Sequence, residues 1–398
     1  MREQTSAWAQ SYDVIIVGAG SMGLAAAYFL THRGQRVLLL DRHQPPHTWG
    51  SHHGETRQLR VAYGEGATYV PLALRARTMW QELEDSARQE GLLAPGEVLF
   101  HPAGVVGILG AGSAMRAELE AASMVHAIPA EWLSTAEAQR RWPGLCLRET
   151  DTIHFDPLGG VLFSERCLEV LRHASVRQGA ATWFGGQLES LVVRPASVEV
   201  VWSGERFAAD RLVLALGAGA GKVLHTWFPE WQLPLQPLRK TVAWFAADAR
   251  YQAGNLPAFY ADLPEGTYYG FPDYGGGVKA ARHDGGQPCD PDAVNRDFHH
   301  DPADEADIRA FLRARLPGAA GPLRAGSVCL YTMTPDTHFI VDRHPEHPHV
   351  FVAAGFSGHG FKFAIAMGEA LACLCLEESP PVDLTLFRAD RFARPAGP

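Results

Sequence analysis

Three glycines near the start of the chain, Gly18, Gly20 and Gly23, have the spacing of a phosphate-binding turn. They follow a short apolar strand predicted for residues 13–17 and open a helix predicted from about residue 22 to residue 33. The first glycine permits a tight turn, the second lets the backbone approach a pyrophosphate, and the third lets helix and strand pack closely. The free N–H groups of the helix then point at the phosphates. This spacing therefore predicts a dinucleotide-binding turn.

Asp41 completes the pattern. It ends a second buried strand, predicted for residues 36–40, at about the ~20-residue separation expected of a ribose ligand. A carboxylate there accepts hydrogen bonds from ribose hydroxyls and repels a 2′-phosphate, which disfavours NADP. The turn and Asp41 do not distinguish FAD from NAD, so the choice of cofactor depends on residues further along the chain.

The composition is that of an ordinary globular protein and argues against several partners. The chain has 398 residues, of which 46% are hydrophobic, and this length favours two intimately joined domains. A net charge of -9 without any block rich in Lys and Arg argues against nucleic acid. No run approaches the roughly 20 apolar residues of a membrane span. We therefore expect no membrane anchor. The six cysteines are scattered without metal-ligand spacing, so we also expect no metal site and a cytoplasmic protein.

The remaining pattern alternates helices and strands. Helices are predicted over residues 71–89, 164–178 and 303–315, and Ser134 with Glu137 forms a predicted capping box. The polar, glycine-punctuated stretch 43–66 is predicted as a loop, and another helix is predicted from near Gly360 to about Leu376. Strands are predicted at 98–109, 152–156, 182–202, 211–216, 236–283, 327–331, 338–342 and 350–353.

Longer strings of residues resemble one family of enzymes. The strings GSHHG (residues 50–54) and GFSGHGFKF (residues 355–363) are the most specific, and AYGEG (62–66) and YYGFP (268–272) support them. With these strings the chain resembles the monomeric sarcosine oxidase and N-methyltryptophan oxidase family over nearly its whole length. The resemblance implies a flavoprotein oxidase of N-alkyl amino acids. Such an enzyme reduces O2 to hydrogen peroxide and holds FAD by a cysteine thioether.

The predicted fold class is α/β, with an α+β second domain. Because buried parallel-type strands occur at the beginning, middle and end of the chain, a Rossmann-like FAD-binding domain is predicted from discontinuous pieces. These pieces are residues 1–85, 150–230 and 325–398. Residues 86–149 and 231–324 are predicted to form a discontinuous, strand-rich substrate domain.

The resemblance assigns residues to the cofactor. Cys329 matches the cysteine that bonds to the flavin 8α carbon, although a lone cysteine is more often core filler. Lys279 matches a lysine over the flavin ring, where a positive charge would stabilise reduced oxygen. Arg57 matches a second cation near the ring. Gly358 and Gly360, in the second string, are predicted to border the cofactor.

The resemblance also implies a site for the substrate carboxylate. Arg60 and Lys362 match the pair that holds it, and their chemistry suits the task. Arginine offers a planar fork to a carboxylate, and lysine adds a point charge. Lys362 is flanked by Phe361 and Phe363, an unusual place for a merely solvated lysine.

The resemblance further assigns residues to the amine end of the pocket, where it places His283 and Tyr331. Tyr269 is predicted to contact the substrate. His53 matches a histidine near the flavin. A histidine there could favour the neutral amine, whose lone pair must be free. No general base is required if the flavin takes a hydride from the N-methyl carbon. The imine would then hydrolyse to formaldehyde and the primary amine.

Departures from the family pattern leave the substrate side chain open. Val61 stands where a histidine is common, and Ala218 and Gly219 stand where a tryptophan is usual. The segment 236–245 resembles the N-methyltryptophan branch, whereas the neighbourhoods of Cys329 and Lys362 resemble the sarcosine branch.

The main prediction is therefore a monomeric oxidase that acts on sarcosine or another N-methyl amino acid with O2. N-Methyltryptophan, pipecolate and glycated amino acids are alternative substrates. Two alternative hypotheses are a flavin dehydrogenase that passes electrons to another acceptor and a non-catalytic dinucleotide-binding protein.

Overall fold

The computed structural model describes residues 10–392. Over this range the chain forms eight α-helices: α1 (Ser21–His32), α2 (Val70–Gln89), α3 (Met115–His126), α4 (Thr135–Arg141), α5 (Ser164–Arg177), α6 (Ala220–Trp227), α7 (Ala303–Arg315) and α8 (Ala364–Cys375). The same range forms twenty β-strands: β1 (Gln10–Val17), β2 (Val37–Asp41), β3 (Thr56–Leu59), β4 (Phe100–His101), β5 (Val105–Leu109), β6 (Glu131–Leu133), β7 (Thr152–Asp156), β8 (Gly160–Phe163), β9 (Ala181–Phe184), β10 (Leu188–Arg194), β11 (Ser197–Trp202), β12 (Glu205–Leu214), β13 (Gln236–Phe245), β14 (Ala258–Leu263), β15 (Gly266–Phe271), β16 (Val278–Arg282), β17 (Gln287–Pro288), β18 (Leu323–Met333), β19 (Ile340–Arg343) and β20 (Val350–Ala354).

One eight-stranded sheet carries the glycine turn. Strand β1 lies between β2 and β12, parallel to both, and β9 and β20 extend the parallel arrangement on either side. Residues 14–17 of β1 are at most 1% exposed because both faces of the sheet are covered. Val14 and Ile16 pack with α1 and α8, and Ile15 and Val17 pack with β10–β12 and α6.

A nine-stranded, mostly antiparallel sheet forms the second layer. Its order is β17-β13-β16-β15-β14-β5-β7-β6, and β18 pairs with β13 along nearly its whole length. This long pair sets Cys329 of β18 opposite Lys240 of β13. Helix α7 covers the sheet through Ile308, Phe311 and Leu312. A third, small sheet of β3, β8 and β4 carries Arg57.

The structure confirms the predicted fold class and most predicted elements. The glycine turn, helices α1, α2, α5 and α7, and the capping box of Ser134 and Glu137 are present within a few residues of their predicted limits. The helix expected from near Gly360 to about Leu376 is also present, with a 3-10 turn over Phe361–Phe363 before α8 begins at Ala364. One expectation was wrong. The stretch 43–66 is not wholly a loop, because β3 pairs with the distant strand β8.

The predicted domain limits stay a prediction. Strands β7 and β18 fall in ranges assigned to the FAD-binding domain but pair within the second sheet, so sheet membership and chain ranges diverge there. Among the described residues, no helix combines the length and the apolar character needed to cross a membrane.

Candidate active site

The glycine turn has little room for side chains. Gly18 has a φ of 102°, and a Cβ there would lie 2.3 Å from the carbonyl oxygen of Ala215. A Cβ on Gly23 would lie 1.8 Å from the oxygen of Gly18. Gly20 is open by contrast, since the nearest atom to an added Cβ is His52 Nδ1 at 3.9 Å. The first and third glycines therefore meet steric requirements of the fold, and the second leaves space beside the start of α1.

Asp41 is held by the chain around it. Its Oδ2 accepts the amide of Ala19 at 2.7 Å, and its Oδ1 accepts the amide of His43 at 2.9 Å. Burial opposes ionisation, but the nearby imidazole of His47, with Nε2 3.7 Å from Oδ1, and the hydrogen bonds from these two amides lower the net pKa of Asp41. The carboxylate is thus a preorganised anion at the carboxyl end of β2, where it lines the cleft.

The loop that contains the GSHHG string is tied to the start of α5. Glu165 accepts the amides of Gly54, at 2.6 Å, and Glu55, at 2.9 Å. Burial lowers the pKa of His52 to about 3 and that of His53 to about 4, so both imidazoles are neutral near pH 7. The loop therefore presents neutral rings and backbone carbonyls to the cleft.

Lys279 lies beneath this loop and is 3% exposed. Its Nζ donates to the carbonyl of Thr56 at 2.8 Å, to that residue's hydroxyl at 3.2 Å, and to the carbonyl of Gly54. The Nζ also lies 4.7 Å from the ring centroid of Phe271 and 5.5 Å from that of Trp244. Burial and the nearby Arg57 lower the pKa of Lys279, while the three oxygen acceptors favour its charged form.

Arg57 and Cys329 line the same part of the cleft. Arg57 donates to the carbonyls of Ser51 and His53 at 2.8 and 2.7 Å, so its guanidinium is fixed by the loop. Cys329 is 7% exposed, and burial raises the pKa of its thiol. The Ser51 hydroxyl donates to the carbonyl of Leu330, which joins the loop to β18 beside the cysteine.

Arg60 pairs with an anion that was not predicted from the sequence. Its Nη2 lies 2.7 Å from Glu65 Oε1, and its guanidinium lies 4.9 Å from the ring centroid of Tyr260. Glu65 raises the pKa of Arg60 against the effect of burial. Despite burial, Arg60 lowers the pKa of Glu65 to about 2. Because Arg60 Nε has no hydrogen-bond partner among the described residues, this cation retains a free donor.

Lys362 stands near Arg60 and is 5% exposed. Its Nζ donates to the hydroxyl of Tyr63 at 3.1 Å and to the carbonyl of His359 at 2.9 Å. Burial, aided by the charge of Arg60, lowers the pKa of Lys362 to about 7. Tyr63 Oη in turn lies 2.8 Å from His359 Nδ1. A third acceptor, such as a carboxylate, would complete the shell of this ammonium.

His283, Tyr331 and Tyr269 form a polar group in the same cleft. Tyr331 Oη lies 3.4 Å from His283 Nδ1 and 3.5 Å from Tyr269 Oη. Burial lowers the pKa of His283 to about 4, so this ring is neutral near pH 7. These long hydrogen bonds leave capacity for another donor or acceptor.

Gly358 and Gly360 line the cleft but also satisfy packing within the chain. Gly358 has a φ of 80°, and a Cβ there would lie 2.2 Å from Cε2 of Tyr331. A Cβ on Gly360 would lie 2.6 Å from Phe356 Cβ. Both positions therefore require glycine before any cofactor contact is considered.

One continuous cleft connects all of these groups, from the glycine turn and Asp41 to Lys362. Buried polar atoms without hydrogen-bond partners, His53 Nε2, Arg60 Nε and Arg296 Nε, belong to residues that line it. A dinucleotide fits this donor set, because phosphates suit the turn and the buried cations suit a ring system that gains negative charge on reduction. The fold and the cleft together define a dinucleotide-dependent enzyme of the Rossmann-like class.

The family follows from comparison with known proteins. The model of the family described as FAD dependent oxidoreductase matches residues 13–374, and the chain belongs to this family. Its cofactor is therefore FAD.

The chain is 43% identical over 385 residues to monomeric sarcosine oxidase of Bacillus sp. (strain B-0618), covering 96% of each chain. It is 37% identical over 383 residues to N-methyl-L-tryptophan oxidase of Yersinia pestis (strain Pestoides F), covering 96% of this chain and 99% of that one. The family resemblance drawn from the strings is thereby confirmed.

Among solved structures, glycine oxidase from Geobacillus kaustophilus is similar with a TM-score of 0.82 and 19% identity. The match covers 96% of this chain and 100% of that chain, and it supports the fold alone.

The structure brings every predicted site residue into this cleft or into direct contact with its lining. Three supporting residues were missed: Glu65, which pairs with Arg60, Glu165, which anchors the loop, and Asp156. The Asp156 carboxylate accepts the amides of Val61 and Ala62 at 2.6 and 3.2 Å and so fixes the segment after Arg60. Glu165 and Asp156 could not be predicted, because their partners are distant in sequence. Glu65 lies only five residues after Arg60, and this spacing was the one signal of an ion pair.

A separate group of possible metal ligands lies outside the cleft. Glu230, His344 and His347 bring their ligand atoms within 4.8 Å of one another. However, His344 Nδ1 accepts the amides of Glu346 and His347, so its Nε2 carries the proton and donates to Glu230 at 3.1 Å. This arrangement is a hydrogen-bonded brace, because a proton occupies the nitrogen that a metal would need.

Proposed function

We propose that this enzyme oxidises secondary amino acids, with N-methyl amino acids such as sarcosine as the main class. The observation that carries the proposal is the pair of buried cations, Arg60 and Lys362, in the same cleft as the neutral pair His283 and Tyr331. A carboxylate would bind the cations, and the amine would lie against neutral groups. The sequence relatives named for sarcosine and N-methyltryptophan support this substrate class.

The carboxylate end works by charge complementarity. Lys362 has two acceptors and could donate its third proton to a substrate oxygen, and Arg60 Nε is free to donate a second hydrogen bond. Charge-assisted hydrogen bonds of this kind contribute about 1.5–3 kcal/mol each. Both cations are buried, so water competes little for the carboxylate.

The amine end favours the unprotonated substrate. His283 is neutral near pH 7, because the effect of burial outweighs that of the nearby Glu65 carboxylate, so its ring adds no charge at this end of the cleft. Burial of the amine would further disfavour its protonated form. FAD, when held in this cleft, would supply the acceptor for a hydride from the N-methyl carbon, and the imine would then hydrolyse in water to formaldehyde and the primary amino acid.

Two finer features belong to the same proposal. We infer that O2 is the electron acceptor, because three oxygen acceptors hold the Lys279 ammonium group in place, where its positive charge would stabilise reduced oxygen. We also infer that Cys329 bonds covalently to FAD, since its thiol is buried in the cleft close to Arg57 and Lys279. The monomeric and cytoplasmic state expected from the sequence stays a prediction.

An anaerobic titration tests the function. The purified yellow protein is mixed with sarcosine, N-methyltryptophan, pipecolate or a glycated amino acid, and flavin absorbance is followed before and after air is admitted. We expect at least one secondary amino acid to bleach the flavin and to yield hydrogen peroxide on reoxidation. Bleaching without peroxide would support a dehydrogenase instead. No bleaching with any of them would refute the proposal.

A further inference from the structure

Lys240 is a buried lysine that the proposed chemistry does not use. It lies on β13 and is 6% exposed. Its Nζ donates to three successive backbone carbonyls, those of His283 at 3.1 Å, Asp284 at 2.6 Å and Gly285 at 3.2 Å. These carbonyls form the turn that follows β16. All three protons of one ammonium group are thus committed to a single turn.

The ammonium group of Lys240 is charged at neutral pH. Burial lowers its pKa to about 8, and the carboxylate of Asp284 opposes that effect. The lysine is therefore predominantly protonated at pH 7 and has a proton for each carbonyl. The Lys240 side chain passes close to the backbone of this turn, since a Cβ on Gly286 would lie 2.9 Å from Lys240 Cδ.

The same ammonium group also contacts the partner of His283. Lys240 Nζ lies 5.4 Å from the ring centroid of Tyr331, within the range of a cation–π interaction. In the antiparallel register Lys240 is directly opposite Cys329, two residues before Tyr331 on β18. Lys240 therefore connects the backbone that carries His283 with the ring of Tyr331, whose hydroxyl lies 3.4 Å from His283 Nδ1.

We propose that Lys240 is a positioning residue that fixes His283 and Tyr331 relative to each other at the amine end of the cleft. This inference rests on the proposed function, because the pair matters only if an amine binds there. Lys240 acts through His283, and its own ammonium group does not contact the substrate. Displacement by about 1 Å at a reacting centre can cost about 100-fold in rate.

A double-mutant cycle tests this role. Lys240→Met should lower the rate of flavin reduction at saturating substrate by about 10- to 100-fold. Substrate affinity should change little, because Arg60 and Lys362 are intact. In a His283→Ala background the same substitution should cost about twofold or less, because the residue through which it acts is already absent.

Arg239→Met provides the matched control. Arg239 is the preceding residue of β13, is 8% exposed and pairs with Asp304 at 2.7 Å, but its side chain points to the other face of the sheet. Its loss should reduce stability and leave the rate of flavin reduction within about twofold of the wild type.

The inference is overturned if the Lys240→Met loss is equal in both backgrounds, or if it is no larger than the Arg239→Met loss. If Lys240→Met does not fold, Lys240→Gln, which keeps a shorter donor, is put through the same cycle with the same criteria. A wild-type enzyme that no secondary amino acid reduces would remove the proposed function, and this inference with it. That outcome is seen before any variant is made, so the two failures are distinguishable.

Discussion

At the scale of single residues, the cleft combines two kinds of cation. Lys279 and Arg57 are fixed by several backbone carbonyls, so they supply charge at set positions. Lys362 and Arg60 keep unused donors, so they can bind a ligand. This difference supports separate roles, with the first pair facing the cofactor and the second pair facing the substrate carboxylate.

Replacement of Cys329 should change how the cofactor is retained. In the wild type we expect the yellow colour to stay with the polypeptide after acid precipitation. In Cys329→Ala the colour should move to the supernatant, because no thioether can form. Cys167→Ala, a change at another buried cysteine that does not line the cleft, should behave like the wild type. Retention of colour by Cys329→Ala would contradict the assignment.

Lys362 should make carboxylate binding depend on pH. Its pKa is lowered to about 7, so its charge is present below that pH and is lost as the pH rises through it. Affinity for a carboxylate ligand, measured by the perturbation of flavin absorbance, should therefore fall between pH 6 and 9. Lys362→Met should bind about 10- to 100-fold more weakly at pH 6, as expected for a lost charge-assisted hydrogen bond. It should also lose that pH dependence. An unchanged pH profile in this variant would argue against the assignment.

At the scale of elements, the site depends on short connections braced by buried carboxylates. Asp156, at the end of β7, accepts four backbone amides: those of Val61, Ala62, Leu158 and Gly159. It thereby fixes the segment that carries Arg60 to the turn before β8. Glu165, in the first turn of α5, accepts two backbone amides of the loop beside Lys279 and so fixes that loop to the helix.

Asp156→Asn should weaken substrate binding and stability together. The amide cannot accept all four N–H groups, and each unsatisfied buried group costs about 1–3 kcal/mol. We expect a lower free energy of unfolding in urea and a raised KM, because Arg60 loses its support. Asp151→Asn, which breaks a buried ion pair with Arg315 away from the cleft, should lower stability without raising KM. Equal KM values in the two variants would count against the positioning role.

At the scale of the whole molecule, buried neutral histidines set the response to acid. Burial lowers the pKa of His52 and His359 to about 3 and that of His53 and His154 to about 4. The unfolded chain takes up these protons below about pH 6.5, whereas the folded chain does not until far lower pH.

The contribution of these histidines to the free energy of unfolding should consequently be constant above about pH 6.5 and should fall between pH 6.5 and 4. Each of these histidines contributes up to about 1.4 kcal/mol per pH unit to that fall. Urea denaturation at pH 7.5 and 5.5 measures the change. In His154→Gln the free energy of unfolding should fall less steeply with decreasing pH, because one of these histidines no longer contributes. An equally steep fall in this variant would disprove the contribution of His154.

The amino-acid sequence alone predicted the dinucleotide turn, the first βαβ unit, the main helices and, through specific strings, the family. These features depend on short-range signals: Gly18 and Gly23 must be glycine for steric reasons, and the apolar run of β1 can only be buried. The sequence did not predict β3 or α3, because the first depends on pairing with β8 about a hundred residues away and the second has a weak apolar face.

How the predicted residues contact one another depends on the tertiary structure. It paired Arg60 with Glu65, placed the Lys279 ammonium on carbonyls more than 220 residues away, and left Lys362 with an unused donor. It also gave Lys240 its three carbonyls. These properties follow from long-range packing and burial, which set distances and pKa values, whereas the local sequence specifies only which side chains are available.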